Sequence, residues 1–77
     1  MIYHAFEVTA DGSYDLHVDS DKATCDQRRE ALLDSYKNDG EPVLSVEIGT
    51  VKADTMPDAL DKIRAGRWLT SQVLYSN

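Results

Sequence analysis

Residues 2–19 read IYHAFEVTADGSYDLHVD, and how this stretch pairs with itself decides the fold. From Ile2 to Thr9 the side chains alternate: Ile2, His4, Phe6 and Val8 on one side, Tyr3, Ala5, Glu7 and Thr9 on the other. Successive side chains of a strand point to opposite faces, so this alternation predicts a half-buried strand. Residues 14–19 alternate again, with Tyr14, Leu16 and Val18 set against Asp15, His17 and Asp19. Between the two runs lies Ala10-Asp11-Gly12-Ser13, a turn-forming link short enough to predict a hairpin.

The register follows from which faces must agree. A two-residue Asp11-Gly12 loop would set Val8 opposite Asp15 and mix an apolar face with a polar one. A three-residue loop, residues 10–12, pairs Thr9 with Ser13, Val8 with Tyr14 and Phe6 with Leu16. Gly12 then takes the left-handed position, where glycine is least strained. With one face of the sheet in water, the three-residue loop is the expectation. Its outer face carries Glu7 opposite Asp15, Ala5 opposite His17 and Tyr3 opposite Asp19.

Working outward, residues 21–37 have helical spacing, with Ser20 or Asp21 as cap. Cys25, Leu32 and Tyr36 share one face, flanked by Arg29 and Leu33, and Asp26, Glu30 and Asp34 line the opposite one. Asn38-Asp39-Gly40 with Pro42 beyond it ends the helix. A third strand spans residues 43–51, with Leu44, Val46 and Ile48 inward. Thr55 followed by Asp58, with Pro57 between, resembles a capping box and opens a second helix whose apolar face is Met56, Leu60 and Ile63. Residues 68–75 have the composition of a strand, and Trp68 is assigned to the core with Arg64 and Arg67 exposed. The expected fold is a single α+β domain over residues 1–77 in the order ββαβα(β). It has a small antiparallel or mixed sheet of three or four strands, an N-terminal hairpin and two helices on one face.

Composition narrows the function. Seventy-seven residues form one domain, and a lone Cys25 offers no disulfide staple, so an apolar core or a dimer contact must hold the fold. The free cysteine fits a reducing compartment, no signal peptide or membrane segment is legible, and the expected location is cytoplasmic. The net charge is −6, and it is unevenly spread. Residues 1–21 hold five acids and no Lys or Arg, whereas residues 62–77 hold Lys62, Arg64 and Arg67 and no acid. A nucleic-acid binder needs a basic footprint, which most of this chain lacks, so no direct nucleic-acid contact is expected.

Candidate chemistry is sparse. Asp15, His17 and Asp19 lie on one strand face, but next-but-one side chains stand ~6.6–7 Å apart, too far for all to ligate one ion. Asp19-Ser20-Asp21 with Glu30 imitates part of a calcium loop but lacks the glycine and a ligand at the middle positions. Cys25 sits at a helix start, where a thiolate is favoured, yet it also lies on the apolar face, where cysteine acts as a small hydrophobe. No phosphate loop, nucleophile elbow or metal helix motif is present, so no catalytic residue, metal or cofactor is assigned and the chain reads as a binder rather than an enzyme.

In size, charge and absence of motifs the chain resembles the small acidic inhibitors carried by phages and mobile elements, of the anti-restriction and anti-CRISPR kind. That resemblance implies a masking protein whose Glu7, Asp15, Asp19, Asp26, Glu30 and Asp34 meet a basic surface of a larger nucleic-acid enzyme. The alternative is a homodimeric structural or assembly domain, joined by its opposed charges or by an unpaired strand.

Overall fold

A computed structural model describes residues 1–76. The chain runs β1 (Ile2–Ala10), β2 (Ser13–Asp19), α1 (Lys22–Asn38), β3 (Val43–Lys52), α2 (Met56–Arg64) and β4 (Thr70–Ser76). The four strands form one antiparallel sheet in the order β2-β1-β3-β4, so the α+β class and the ββαβαβ order stand as expected.

The helices do not share a face. Opposite residues of an antiparallel pair point the same way, so Phe6, Val8, Val46 and Ile48 project to one side of the sheet. There they pack with Cys25, Leu32, Leu33 and Tyr36 of α1. Tyr3, Ala5, Val18 and Val51 project to the other side and pack with Ala59, Ile63 and Leu60 of α2. Each helix therefore covers its own face, which corrects the expectation of two helices on one face. The reason lies in β1, where Tyr3, Ala5, Phe6, Val8 and Ala10 are all buried, so neither side of this central strand can be left to water.

The same fact resolves the hairpin. The observed register pairs Ala10 with Ser13, Thr9 with Tyr14, Val8 with Asp15 and Phe6 with His17, across a two-residue Asp11-Gly12 loop. The three-residue loop is favoured only where one face is solvated. With both faces covered, Leu16 and Val18 serve the α2 side while Phe6 and Val8 serve the α1 side, and no face has to be purely apolar. Gly12 has φ +83°, a value that only glycine adopts without strain, and the Asp11 N–H donates to the Pro42 carbonyl at 3.1 Å. Tyr14, expected inward, is exposed at the rim.

Local chemistry starts the helices where expected. Asp21 is extended and its carboxylate accepts from the Thr24 N–H at 2.9 Å and the Thr24 hydroxyl at 2.7 Å. Thr55 caps α2 by accepting from the Asp58 N–H at 3.2 Å. On α2 the buried residues are Ala59 and Ile63; Met56, expected on the apolar face, is exposed. Burying Ile63 contributes roughly 1.5–3 kcal/mol. The small Ala59 lets the helix backbone approach the sheet. Leu44 is exposed too, because a bulge between Thr9 and Ala10 skips it in the pairing with β3.

Candidate functional site

Both helices, each on its own face, sit away from the β4 edge of the sheet. α1 packs over β1 and β2, and α2 over β2, β3 and β1. The edge strand β2 is thus covered on its two faces. The opposite edge strand, β4, is exposed along its whole length, including the apolar Val73, Leu74 and Tyr75. Among the described residues it pairs with β3 on one side only, and its outer row of backbone N–H and C=O groups has no neighbouring strand. No charged residue and no proline lies between Thr70 and Ser76, so of the usual devices that blunt an edge β4 carries only a bulge at Leu74. A bulge at Val46/Glu47 sets Tyr75 beside Val46 on the α1 face and Val73 beside Glu47 on the α2 face.

What holds β4 in place is a close backbone approach at Gly49. Trp68 is partly buried against the core on the α2 side, and its Cε3 would lie 2.7 Å from a Cβ at position 49. The Leu69 N–H donates to the Thr50 carbonyl at 2.8 Å, and the hydroxyls of Thr50 and Thr70 stand 2.6 Å apart. Arg64 and Arg67, expected to be exposed, are exposed.

Because α1 does not reach β4, a cleft of about 310 Å³ opens on the α1 face beside that strand. Its wall is Lys22, Cys25, Asp26 and Arg29, and its floor includes Ile48, Thr50, Thr70 and Gln72. Asp26 accepts from Lys22 Nζ at 2.7 Å and Arg29 Nη1 at 3.0 Å. Those cations, Lys22 first, hold its carboxyl below the usual range. Asp26 therefore balances one of the wall's two cations and leaves it a net charge of +1. Burial pushes the Cys25 thiol up to about 11, with the nearby Asp26 adding to it, so the sulfur stays protonated and packed. The arrangement offers hydrogen-bonding groups around an apolar patch and no activated nucleophile.

The six acids read from the sequence do not form one platform. Glu7 stands opposite Leu16 and Glu47 on the α2 face and accepts a hydrogen bond from the Tyr14 hydroxyl. Loss of surrounding water, then that bond, pushes Tyr14 up to about 12. Asp15 lies on the α1 face, across the sheet from Glu7, and accepts from the Tyr36 hydroxyl, which raises Tyr36. Asp19 accepts from the Asp21 N–H at 2.9 Å and lies 3.6 Å from His17 Nε2, whose ring is tilted 38° to that of Phe6 with centroids 5.4 Å apart. The outer face with Glu7 opposite Asp15 is thus corrected: the one-residue change in register puts them on opposite sides. Asp26 is ion-paired as described. Glu30 and Asp34 are exposed on α1, and neither has an ion pair among the described residues.

No helix among the described residues is long and apolar enough to cross a membrane. Comparison with protein-family models, with curated proteins and with solved structures finds no match for this chain.

Proposed function

We propose that this chain is a non-catalytic protein-binding module whose contact element is the edge strand β4, to which a partner adds a strand. The observation that carries this reading is the asymmetry of the two sheet edges. β2 is charged and covered on both faces, whereas β4 is uncharged, partly apolar and open on its faces and its edge. Main-chain hydrogen bonds supply the affinity of such a contact, and side chains beside the strand supply its selectivity. Val73 and Leu74 are 57% and 48% exposed, so replacing both with Lys leaves the core untouched and charges the edge. The test compares tagged wild type with the Val73→Lys, Leu74→Lys variant as baits. A partner kept by the first and lost by the second supports the reading; identical partners on both baits overturn it.

A second reading keeps the inhibitor idea in narrower form. Glu30 and Asp34, the two acids of the helix stripe free of ion pairs, face away from the sheet and would meet a basic surface of a larger nucleic-acid enzyme, as anti-restriction and anti-CRISPR proteins do. Exposed substitutions cost within about 0.5 kcal/mol, so Glu30→Lys with Asp34→Lys leaves melting unchanged and abolishes a salt-sensitive partner. Binding that survives both the reversal and raised salt removes this reading.

A further inference from the structure

We infer that the strand added to β4 is the β4 of a second copy, giving a two-fold dimer with one continuous eight-stranded antiparallel sheet. This rests on β4 being the contact element, as proposed above, and names the occupant. The argument is electrostatic and symmetric. A two-fold contact brings a surface against itself, so any charge on it meets its own like. With a net charge of −6, most of this surface repels a copy. At β2, Asp15 and Asp19 would face their counterparts. The segment from Thr70 to Ser76 is free of charge and leads in from Arg64 and Arg67 rather than from acids.

Distance settles whether the acid just behind the edge matters. Glu47 on β3 stands beside Val73. In the paired sheet the two copies of Glu47 are separated by three strand spacings, at least ~14 Å. That exceeds the screening length of ~8 Å at physiological salt, so their repulsion is largely lost. Val73 and Leu74, at the middle of the strand, come together at the axis.

The two-fold axis stands perpendicular to the sheet, since only that axis relates adjacent antiparallel strands. Both α1 helices therefore lie on the same face. The cleft beside each β4 then joins its copy, and a single trough runs between the two helices with Thr70, Gln72 and Tyr75 of both chains in its floor. A second copy thus supplies half of this site.

The experiment is sedimentation velocity of the full chain over a wide concentration range, at physiological and high salt, with hydrogen exchange on the same samples. The expected result is a concentration-dependent dimer that persists at high salt, gains protection at residues 70–76, and is lost in the Val73→Lys, Leu74→Lys variant with its circular dichroism unchanged. A wild type that stays monomeric at every concentration overturns self-pairing; strand addition by another protein then stands or falls on the bait comparison. A dimer that the double variant retains, or that high salt dissolves, overturns self-pairing and places the contact away from β4.

Discussion

Gly49→Ala is the substitution that tests how β4 is held. A Cβ at this position would lie 2.0 Å from the Thr70 carbonyl oxygen, 2.7 Å from Trp68 Cε3 and 2.9 Å from Ser71 Cα. Real Cβ contacts stay beyond 3.0 Å, so the Thr70 oxygen must move by at least 3.0 − 2.0 = 1.0 Å. Two of the three contacts are with backbone, so no rotamer change relieves them. Overpacking of this kind costs about 1–3 kcal/mol, and a main-chain clash belongs at the upper end. Against that, alanine restricts the unfolded chain and returns about 0.4–1 kcal/mol, since Gly49 does not have a positive φ. The net is about 2 kcal/mol of destabilisation, with one ceiling: the loss cannot exceed the free energy of peeling β4 from β3. Urea unfolding measures the global term and hydrogen exchange the local one. If peeling is the easier route, global stability falls little and the amides of residues 70–76 exchange faster. A variant within about 0.5 kcal/mol of wild type, with unchanged protection on β4, refutes the close approach at Gly49.

Asp21→Ala removes the cap of α1 and should cost about 1 kcal/mol, read as a lower midpoint in urea; an unchanged midpoint refutes the capping role. Stability should decline on the alkaline side. Cys25 is raised to about 11 and Tyr14 to about 12, so their contributions are complete below the ordinary values of 9.0 and 10.0 and vanish as pH rises through the raised ones. A melting temperature that climbs across that window contradicts the assignment. On the acid side Asp21 and Asp26 are held low, by Thr24 and by Lys22 respectively, so what they add is present above the ordinary carboxylate pKa and disappears as pH falls through the depressed values. Cys25 should resist a maleimide probe in the native chain and react once urea exposes it; fast native labelling would show that the thiol is not packed as it is here.

The elements were legible because each carries its own local signal. Alternation gave β1 and β2, the Asp21 and Thr55 caps gave the helix starts, and the residue types of 70–75 gave β4 despite a helix-like spacing of Leu69 and Val73. Assembly was not legible in the same way. Register was inferred from face purity, which presumes a sheet with one wet side. In β1, however, Tyr3 and Ala5 are as buried as Phe6 and Val8, and a strand covered on both faces gives no such criterion. The signal was there: the second face of β1 carries Tyr3 and Ala5, while its only charge is Glu7. Once the register moves by one residue, Tyr14, Asp15 and the helix placement all follow.

Whole-chain charge pointed toward six acids, and four of them are occupied at home: Asp26 on Lys22 and Arg29, Asp15 on Tyr36, Glu7 on Tyr14, Asp19 on the Asp21 N–H. Such pairs spend on the fold the valence a partner would use. What no side chain among the described residues occupies is the outer edge of β4, and its sequence signature is a lack: TSQVLYS, residues 70–76, is the strand without a charge. β2 carries Asp15 and Asp19 and is shielded by helices as well, so one edge of this sheet is doubly protected while the other has only the bulge at Leu74. An edge so bare exposes a chain to uncontrolled pairing unless something regularly closes it. Closure by a two-fold copy ends after one step, because each chain has a single bare edge and the protected β2 edges remain outermost.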